Sequence, residues 1–341
     1  MTTPEPGLSR RAFLGRAAGG AVAIAGAVAI GTKLRDRPAP SPWDPAAFAR
    51  PGEAHVAVLT ATSYEGDLSA VVRDGLLAIG ADLGGAKVLL KPNFVEFDTG
   101  SVINTDPRLV AATVLAVRRM GASSVIVGEG PGHRRDTGYV VNSSGLAEAL
   151  ADVEAPFVDL NTAEATSVPL SSRYTSLGEI WLPRVLTEAD VVISMPKMKT
   201  HHWAGVTLSL KNCFGCLPGR VYGWPKNILH WMGIENSILD IAGAVRPSYA
   251  IVDGIVGMQG NGPIDGSQVA AGVLVFGDDP VATDTIASTL MGMDPTKIPY
   301  LREASRFLGQ GDPAHIVQAG EDPSALVKAF DPAPGTEFIV A

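Results

Sequence analysis

An α/β fold, with a parallel or mixed sheet flanked by helices, is what the sequence predicts, and three observations carry it. Short β-branched runs alternate with amphipathic stripes along most of the 341 residues, the order a parallel sheet needs because its crossovers take helices. The chain is 46% hydrophobic with 38 Gly and 25 Pro, a composition of many turns over a real core and not of disorder. Polar or glycine-rich residues also follow five of the strands: Lys91 and Asn93, Glu129-Gly130-Pro131-Gly132, Lys197 to His202, Asp253-Gly254, and Gly277-Asp278-Asp279. In a parallel sheet such ends share one edge, so these loops would line a single crevice, with the unit able to divide into two lobes around it. No internal repeat is visible.

The first element is a leader, outside the fold. Ser9-Arg10-Arg11-Ala12-Phe13-Leu14-Gly15 precedes a weakly apolar run from Ala17 to Gly31, and this resembles a twin-arginine export signal. The run is short and glycine-rich for a membrane span, although an uncleaved anchor is an alternative to cleavage near Ala27-Val28-Ala29. Export to the periplasm or extracellular space by the twin-arginine machinery is therefore expected, with membrane contact only through residues 1–37. That region holds six Lys/Arg and two Asp/Glu, so the remainder carries −12 against −8 for the whole chain. Nucleic acid is excluded as a main partner. Residues 38–53 are proline-rich and read as a linker, leaving 54–341 as the folded domain.

Within that domain His55–Leu59, Lys87–Leu90, Ser124–Val127, Phe157–Leu160, Val191–Ser194, Tyr249–Val252 and Val273–Phe276 read as strands. Asp67 can cap a helix over 68–77, and Thr105-Asp106-Pro107 is a strong helix start. Ser143 or Ser144 can cap a helix through Leu150. Residues 163–183 suit a hairpin insert, 206–214 a helix, and Asn236 can cap another through Ala244. Asp278 or Asp279 before Pro280 starts a helix to Met291, 298–308 is helical, and Glu337–Val340 suits an edge strand.

Chemistry concentrates between Ser194 and Gly219, SMPKMKTHHWAGVTLSLKNCFGCLPG, which holds both cysteines of the protein. Pro196 lacks an N–H and should stop the ladder, so Lys197, Lys199, His201 and His202 leave a strand end as a loop. His201 suits metal ligation or proton transfer, and His202 is equally a surface histidine. Lys199 and Lys211 can bind a carboxylate or phosphate, or lower one another's pKa toward a useful base or nucleophile. Cys213 and Cys216 have redox-dithiol spacing; a disulfide or free thiols rank above a zinc site, which would need His201, His202 or His230 as well. The glycines from 254 to 266 can present N–H groups to an anion or simply turn the chain. Asp253, Asp278, Asp279 and Asp284 can serve acid/base work or a hard metal, with helix capping as the plain alternative; Asp284, one turn into its helix, fits capping least.

Lys91-Pro92-Asn93, Lys197-Met198-Lys199-Thr200-His201, Lys211-Asn212 with Gly215, Asp253-Gly254-Ile255, Gly260-Asn261-Gly262-Pro263 and the Asp278–Asp284 segment occur in this order. Together they resemble the family known as domain of unknown function 362 (DUF362), from about residue 55 to residue 320. That family has no settled activity, so the roles are read from the residues themselves. Lys199, His201, Lys211 and Asp253 are the catalytic candidates, and Lys91, Asn93, Asn212, Gly260, Asn261, Gly262 and Asp284 the candidates for cofactor contact, with His201 and His202 as candidate metal ligands. Many family members carry a ferredoxin-like cysteine cluster, but two cysteines cannot ligate one, so an iron–sulfur cluster of its own is not expected. Gln259 stands where an acidic residue is expected. A shorter likeness, His201-His202-Trp203-Ala204-Gly205 followed by Lys211, is similar to nickel-pincer lactate racemases and is an analogy only. The expected function is an exported enzyme of redox or isomerase type acting on a small anionic substrate with a metal ion or metal-containing cofactor. The alternative is a non-catalytic ligand-binding protein.

Overall fold

The computed structural model describes residues 41–132 and 136–341; the twin-arginine stretch lies outside the described residues. In chain order the strands are β1 (Ala54–Thr60), β2 (Lys87–Pro92), β3 (Ser124–Glu129), β4 (Phe157–Asp159), β5 (Ala165–Pro169), β6 (Glu179–Pro183), β7 (Val191–Met195), β8 (Lys197–His201), β9 (Gly205–Thr207), β10 (Tyr249–Gln259), β11 (Ser267–Val269), β12 (Val273–Gly277) and β13 (Ile316–Gly320). Among the described residues eleven of them make one sheet, ordered β13-β1-β12-β10-β7-β2-β3-β4, with β8 and β11 branching from β10 and β9 paired to β8. From β10 through β7, β2 and β3 to β4 every pairing is parallel. β12 runs antiparallel to both β1 and β10, so the sheet is mixed. The separate β5–β6 hairpin is the expected insert.

The helices are α1 (Leu68–Ala78), α2 (Pro107–Arg119), α3 (Thr137–Ser143), α4 (Leu146–Asp152), α5 (Arg184–Thr187), α6 (Ser209–Asn212), α7 (Gly219–Tyr222), α8 (Asn227–Trp231), α9 (Ile234–Val245), α10 (Pro280–Leu290) and α11 (Pro299–Ala304). Their starts follow capping chemistry. Asp67 accepts from the Ala70 N–H, Asp106 from Arg108, and Asp279 from Val281 and Ala282, each satisfying amides the first turn leaves open. Strand alternation then assigns the core. Val56, Leu89, Val192, Val252 and Val275 join one apolar cluster with α9, α10 and α11; Ala57, Val88, Leu90, Ile193, Ile251 and Leu274 join the other with α1 and α2. Neighbours along a strand point to opposite faces, so both faces are covered.

Trp43–Ala341 form one compact unit, not two lobes. Part of the expected linker belongs to it: Trp43 stacks on Phe307 at 4.8 Å, and Phe48 is buried against the same ring. Five local expectations also need correction. Residues 197–201 are a strand and not a loop, because β10 is long enough to accept them. Pro196 cannot donate, but its carbonyl accepts from the Asp253 N–H at 2.8 Å, and pairing resumes through a register shift. Residues 206–214 are no single helix: the β-branched Val206 and Thr207 pair with β8, and α6 then leads into a 3-10 turn at Cys213–Cys216. Gly233 precedes α9 where Asn236 was expected, and Gly145 precedes α4 in a left-handed conformation that suits glycine better than Ser143 or Ser144. Glu337–Ile339 is a 3-10 turn that leaves only a single bridge from Val340 to Met293.

Candidate functional site

Beyond the carboxyl ends of β2 and β3, segments from across the chain enclose a cavity of about 860 Å³, within the range of small-molecule sites. Asn93 to Val95 follow β2, while Glu129 ends β3 and Gly130 follows it. Lys199 and His201 come from β8, Lys211 and Asn212 from α6, Phe214 and Gly215 from the 3-10 turn, Lys226 and His230 from around α8, and Asn261 to Asp265 from the β10–β11 turn. Trp203 and Trp231 line its mouth, 60% and 80% exposed.

The floor is a closed polar network. Lys91 Nζ donates to Glu129 Oε2 at 2.7 Å, and both side chains are buried. Lys91 also donates to the Pro92 carbonyl and to Asn212 Oδ1, while Glu129 accepts from the Phe94 and Gly130 N–H groups. Gly215 lies against this pair: a Cβ there would run into the Glu129 carboxylate and the Lys91 ammonium. Asn212 is oriented from both sides, since its Nδ2 donates to the Lys91 carbonyl at 2.9 Å. Asn93 must then turn its own Nδ2 to Asn212 Oδ1, which leaves Asn93 Oδ1 buried without a partner. Thr207 Oγ1 is buried and unpartnered as well, and both residues line the cavity. Buried polar atoms of this kind are rare in finished cores and mark places where a ligand can bond.

Above the floor, lysines outnumber the carboxylates free to pair with them. Lys199, Lys211 and Lys226 line the cavity, and its carboxylates are Glu129, committed to Lys91, and Asp265, exposed at the rim. Lys199 Nζ donates to the Ile103 and Pro263 carbonyls, and Lys226 Nζ to those of Gly130 and Phe214. Lys211 Nζ lies 4.0 Å from the centre of the Phe214 ring, and no hydrogen bond or ion pair joins it to any described residue. Burial and then the neighbouring Lys226 and Lys91 push the Lys211 ammonium down to about 7. Burial takes Lys226 down to about 8 despite Glu129, and Lys199 well below the ordinary lysine range, with Lys211 and Lys197 adding to the effect.

The histidines divide by tautomer. His201 Nδ1 accepts from the Trp203 and Ala204 N–H groups at 3.1 and 3.3 Å. Its proton is therefore on Nε2, and that nitrogen is a donor without a free lone pair. Burial, then Lys211, keeps the ring neutral by lowering its pKa. His202 Nδ1 faces the Gly262 carbonyl and His230 Nδ1 the Lys226 carbonyl, so these two rings leave Nε2 lone pairs available. Among the described residues no three His, Cys, Asp or Glu side chains come together as a metal site, and His201 in this tautomer does not fit a ligand's role.

Of the residues singled out in the sequence, Lys199, His201, His202, Lys211, Asn93, Asn212 and Asn261 line the cavity. Lys91 sits beneath it. Asp253 does not line it: its carboxylate is enclosed with Lys197 at 2.7 Å, Tyr64 OH at 2.7 Å and the Asp106 N–H at 3.0 Å. Asp284 accepts from the Ser209 and Leu210 N–H groups and so caps α6 from a neighbouring helix. Gly260 and Gly262 shape the turn; a Cβ on Gly262 would strike the Thr200 carbonyl. Cys213 and Cys216 are buried and unbridged. Sequence reasoning missed Lys226, Thr207 and the tryptophan rim. It placed Glu129 at a strand end without seeing its bond to Lys91, and no local pattern would have shown it.

The chain matches the family model described as Domain of unknown function (DUF362) over residues 88–289. The Thylakoid-associated protein sll1697 of Synechocystis sp. is 30% identical over 265 residues, covering 74% of this chain and 79% of that protein. A crystal structure of a Thermotoga maritima protein aligns with a TM-score of 0.32 and 15% identity, over 57% of this chain and 52% of that one, so the match spans about half of that protein. The family match covers more than half of the sequence and runs through nearly all of the cavity wall, and on that ground the chain belongs to the DUF362 family.

Proposed function

We propose that the cavity binds a small organic anion with an apolar body, and that the protein is an enzyme acting on that anion. Three lysines around one cavity, Lys199, Lys211 and Lys226, with no buried carboxylate free to answer them, are the observation that carries this reading. A ligand's carboxylate or phosphate would supply the missing negative charge, its donors would meet Asn93 Oδ1 and Thr207 Oγ1, and its apolar part would lie toward Phe214, Trp203 and Trp231. Neutral Lys211 and His201 favour proton transfer of the isomerase type. A metal-containing cofactor would have to bring most of its own ligands, since the free imidazole lone pairs are those of His202 and His230. Calorimetric titration with small carboxylates and phosphates is the test. Binding that disappears in Lys211→Met supports the site, and equal binding by that variant defeats it. Affinity without turnover of any bound acid would favour the non-catalytic alternative.

We further propose export by the twin-arginine route to a site at or across a membrane. The Arg10-Arg11 stretch supports this, as does the thylakoid association named for the Synechocystis relative. No helix among the described residues is long and apolar enough to cross a membrane. Lysine at both positions 10 and 11 should hold the protein in the cytoplasm; unchanged export would refute the reading.

A further inference from the structure

Lys211 differs from every other lysine in or beneath the cavity. Lys91 is paired with Glu129 and Lys197 with Asp253, while Lys199 and Lys226 each donate to two carbonyls. Lys211 alone among them has no acceptor within the described residues, only the face of Phe214. An ammonium has three protons to place, so this is a poor seat for the charged form and an adequate one for a free amine. The titratable groups that act on Lys211, or feel it, come from every side: Lys91 from β2, Lys199 and His201 from β8, Cys213 from the 3-10 turn, and Lys226 and His230 from around α8. All are cations, neutral rings or a thiol. An amine surrounded by cations and apolar surface is the activated form of a lysine nucleophile.

We propose that Lys211 forms an imine with the carbonyl group of a small keto or aldehyde acid, whose carboxylate is held by the donors that Lys199 and Lys226 have left. This rests on the anion-binding reading above and names its substrate class. The neutral Lys211 amine adds to the carbonyl carbon, making the C–N bond as the carbonyl π pair moves to oxygen. Both amine protons then depart with that oxygen as water, so the step needs no oxidant, reductant or co-reactant. Asn93 Oδ1 and Thr207 Oγ1, buried at the same cavity without partners, are acceptors for the hydroxyl formed on the way. His201 Nε2–H is a neutral donor for the same oxygen. A protonated imine then draws electrons from the neighbouring carbon, as proton-shifting chemistry on a keto acid requires.

The test uses the full chain, glyoxylate as the carbonyl acid, and reduction with cyanoborohydride, which fixes an imine as a secondary amine. Peptide mapping should find one adduct, on Lys211, heavier by the mass of the probe less one oxygen atom. The adduct should be lost in Lys211→Met and suppressed by excess glycolate, which has the carboxylate but no carbonyl. Labelling of the unaltered protein should be half-maximal near pH 7, where Lys211 is held, while exposed lysines react only toward about pH 10. That profile decides the matter even if Lys211→Met does not fold. Calorimetric binding of glycolate with no adduct on Lys211, or adducts only on exposed lysines, would overturn the imine and leave the anion site standing. Failure of both glycolate binding and labelling would overturn the two together.

Discussion

Lys197, buried, and Lys211, half-buried at the cavity wall, belong to the same stretch, and the chain treats them in opposite ways. Around Lys197 everything closes: its ammonium meets Asp253 and Tyr64, and the other Asp253 contacts are Tyr64 OH and the Asp106 N–H. Burial and Asp253 push the Tyr64 hydroxyl well up, so it stays a donor. Each charge in that knot has a partner, and it ties β8 and β10 to the segments before α1 and α2. Around Lys211 nothing closes. Its neighbours are cations, an aromatic face and a cavity. A buried charge that is fully answered holds a fold together, while one left unanswered is tolerated only where something else completes it. Of the two, the second marks the site.

The closed end is the easier of the two to disrupt. Asp253→Ala should cost about 3–5 kcal/mol, because it strands the Lys197 ammonium in a buried pocket and removes two further hydrogen bonds. Lys211→Met should lose no stability, since it removes a half-buried amine that has no counter-charge and leaves an apolar chain against Phe214. Urea unfolding of the two variants beside the parent measures both. If the two lose stability alike, Lys211 is as structural as Lys197, and the distinction drawn here fails.

That distinction was only partly legible in the sequence. Alternation of strands and stripes showed the α/β class, and the cap residues Asp67, Asp106 and Asp279 showed where helices begin, because both signals are local. Strand ends also brought Lys199, His201 and Asn93 to one cavity, since a parallel sheet gathers such ends by construction. What could not be read was which polar groups satisfy one another. Asp253 and Lys197 lie 56 positions apart and Lys91 and Glu129 lie 38 apart, and nothing in either neighbourhood announces its partner. Asp284 read as chemistry for the same reason: the amides it caps belong to α6, 74 and 75 positions away. Pro196 misled through a local rule. The missing donor was real, but its carbonyl kept the strand attached to β10.

A smaller effect separates the two lysines through pH. Lys211 is held at about 7 in the folded chain against 10.5 for an ordinary lysine. Between those values the unfolded chain binds a proton that the folded chain does not, and stability must rise with pH across that window. Below about 7 both states are charged and the folded state bears the whole penalty; above about 10.5 both are neutral and the penalty is gone. The slope from one such group is at most about 1.4 kcal/mol per pH unit, and water in the cavity will reduce it. Other groups titrate in the same range, Lys226 among them, so the quantity to follow is the difference between the parent and Lys211→Met. Urea midpoints at about pH 7, 8 and 9 should converge as pH rises, the variant being the more stable at the low end. A difference between parent and variant that stays constant with pH would mean that Lys211 is charged throughout in both states, and its nucleophilic role would fall with that result.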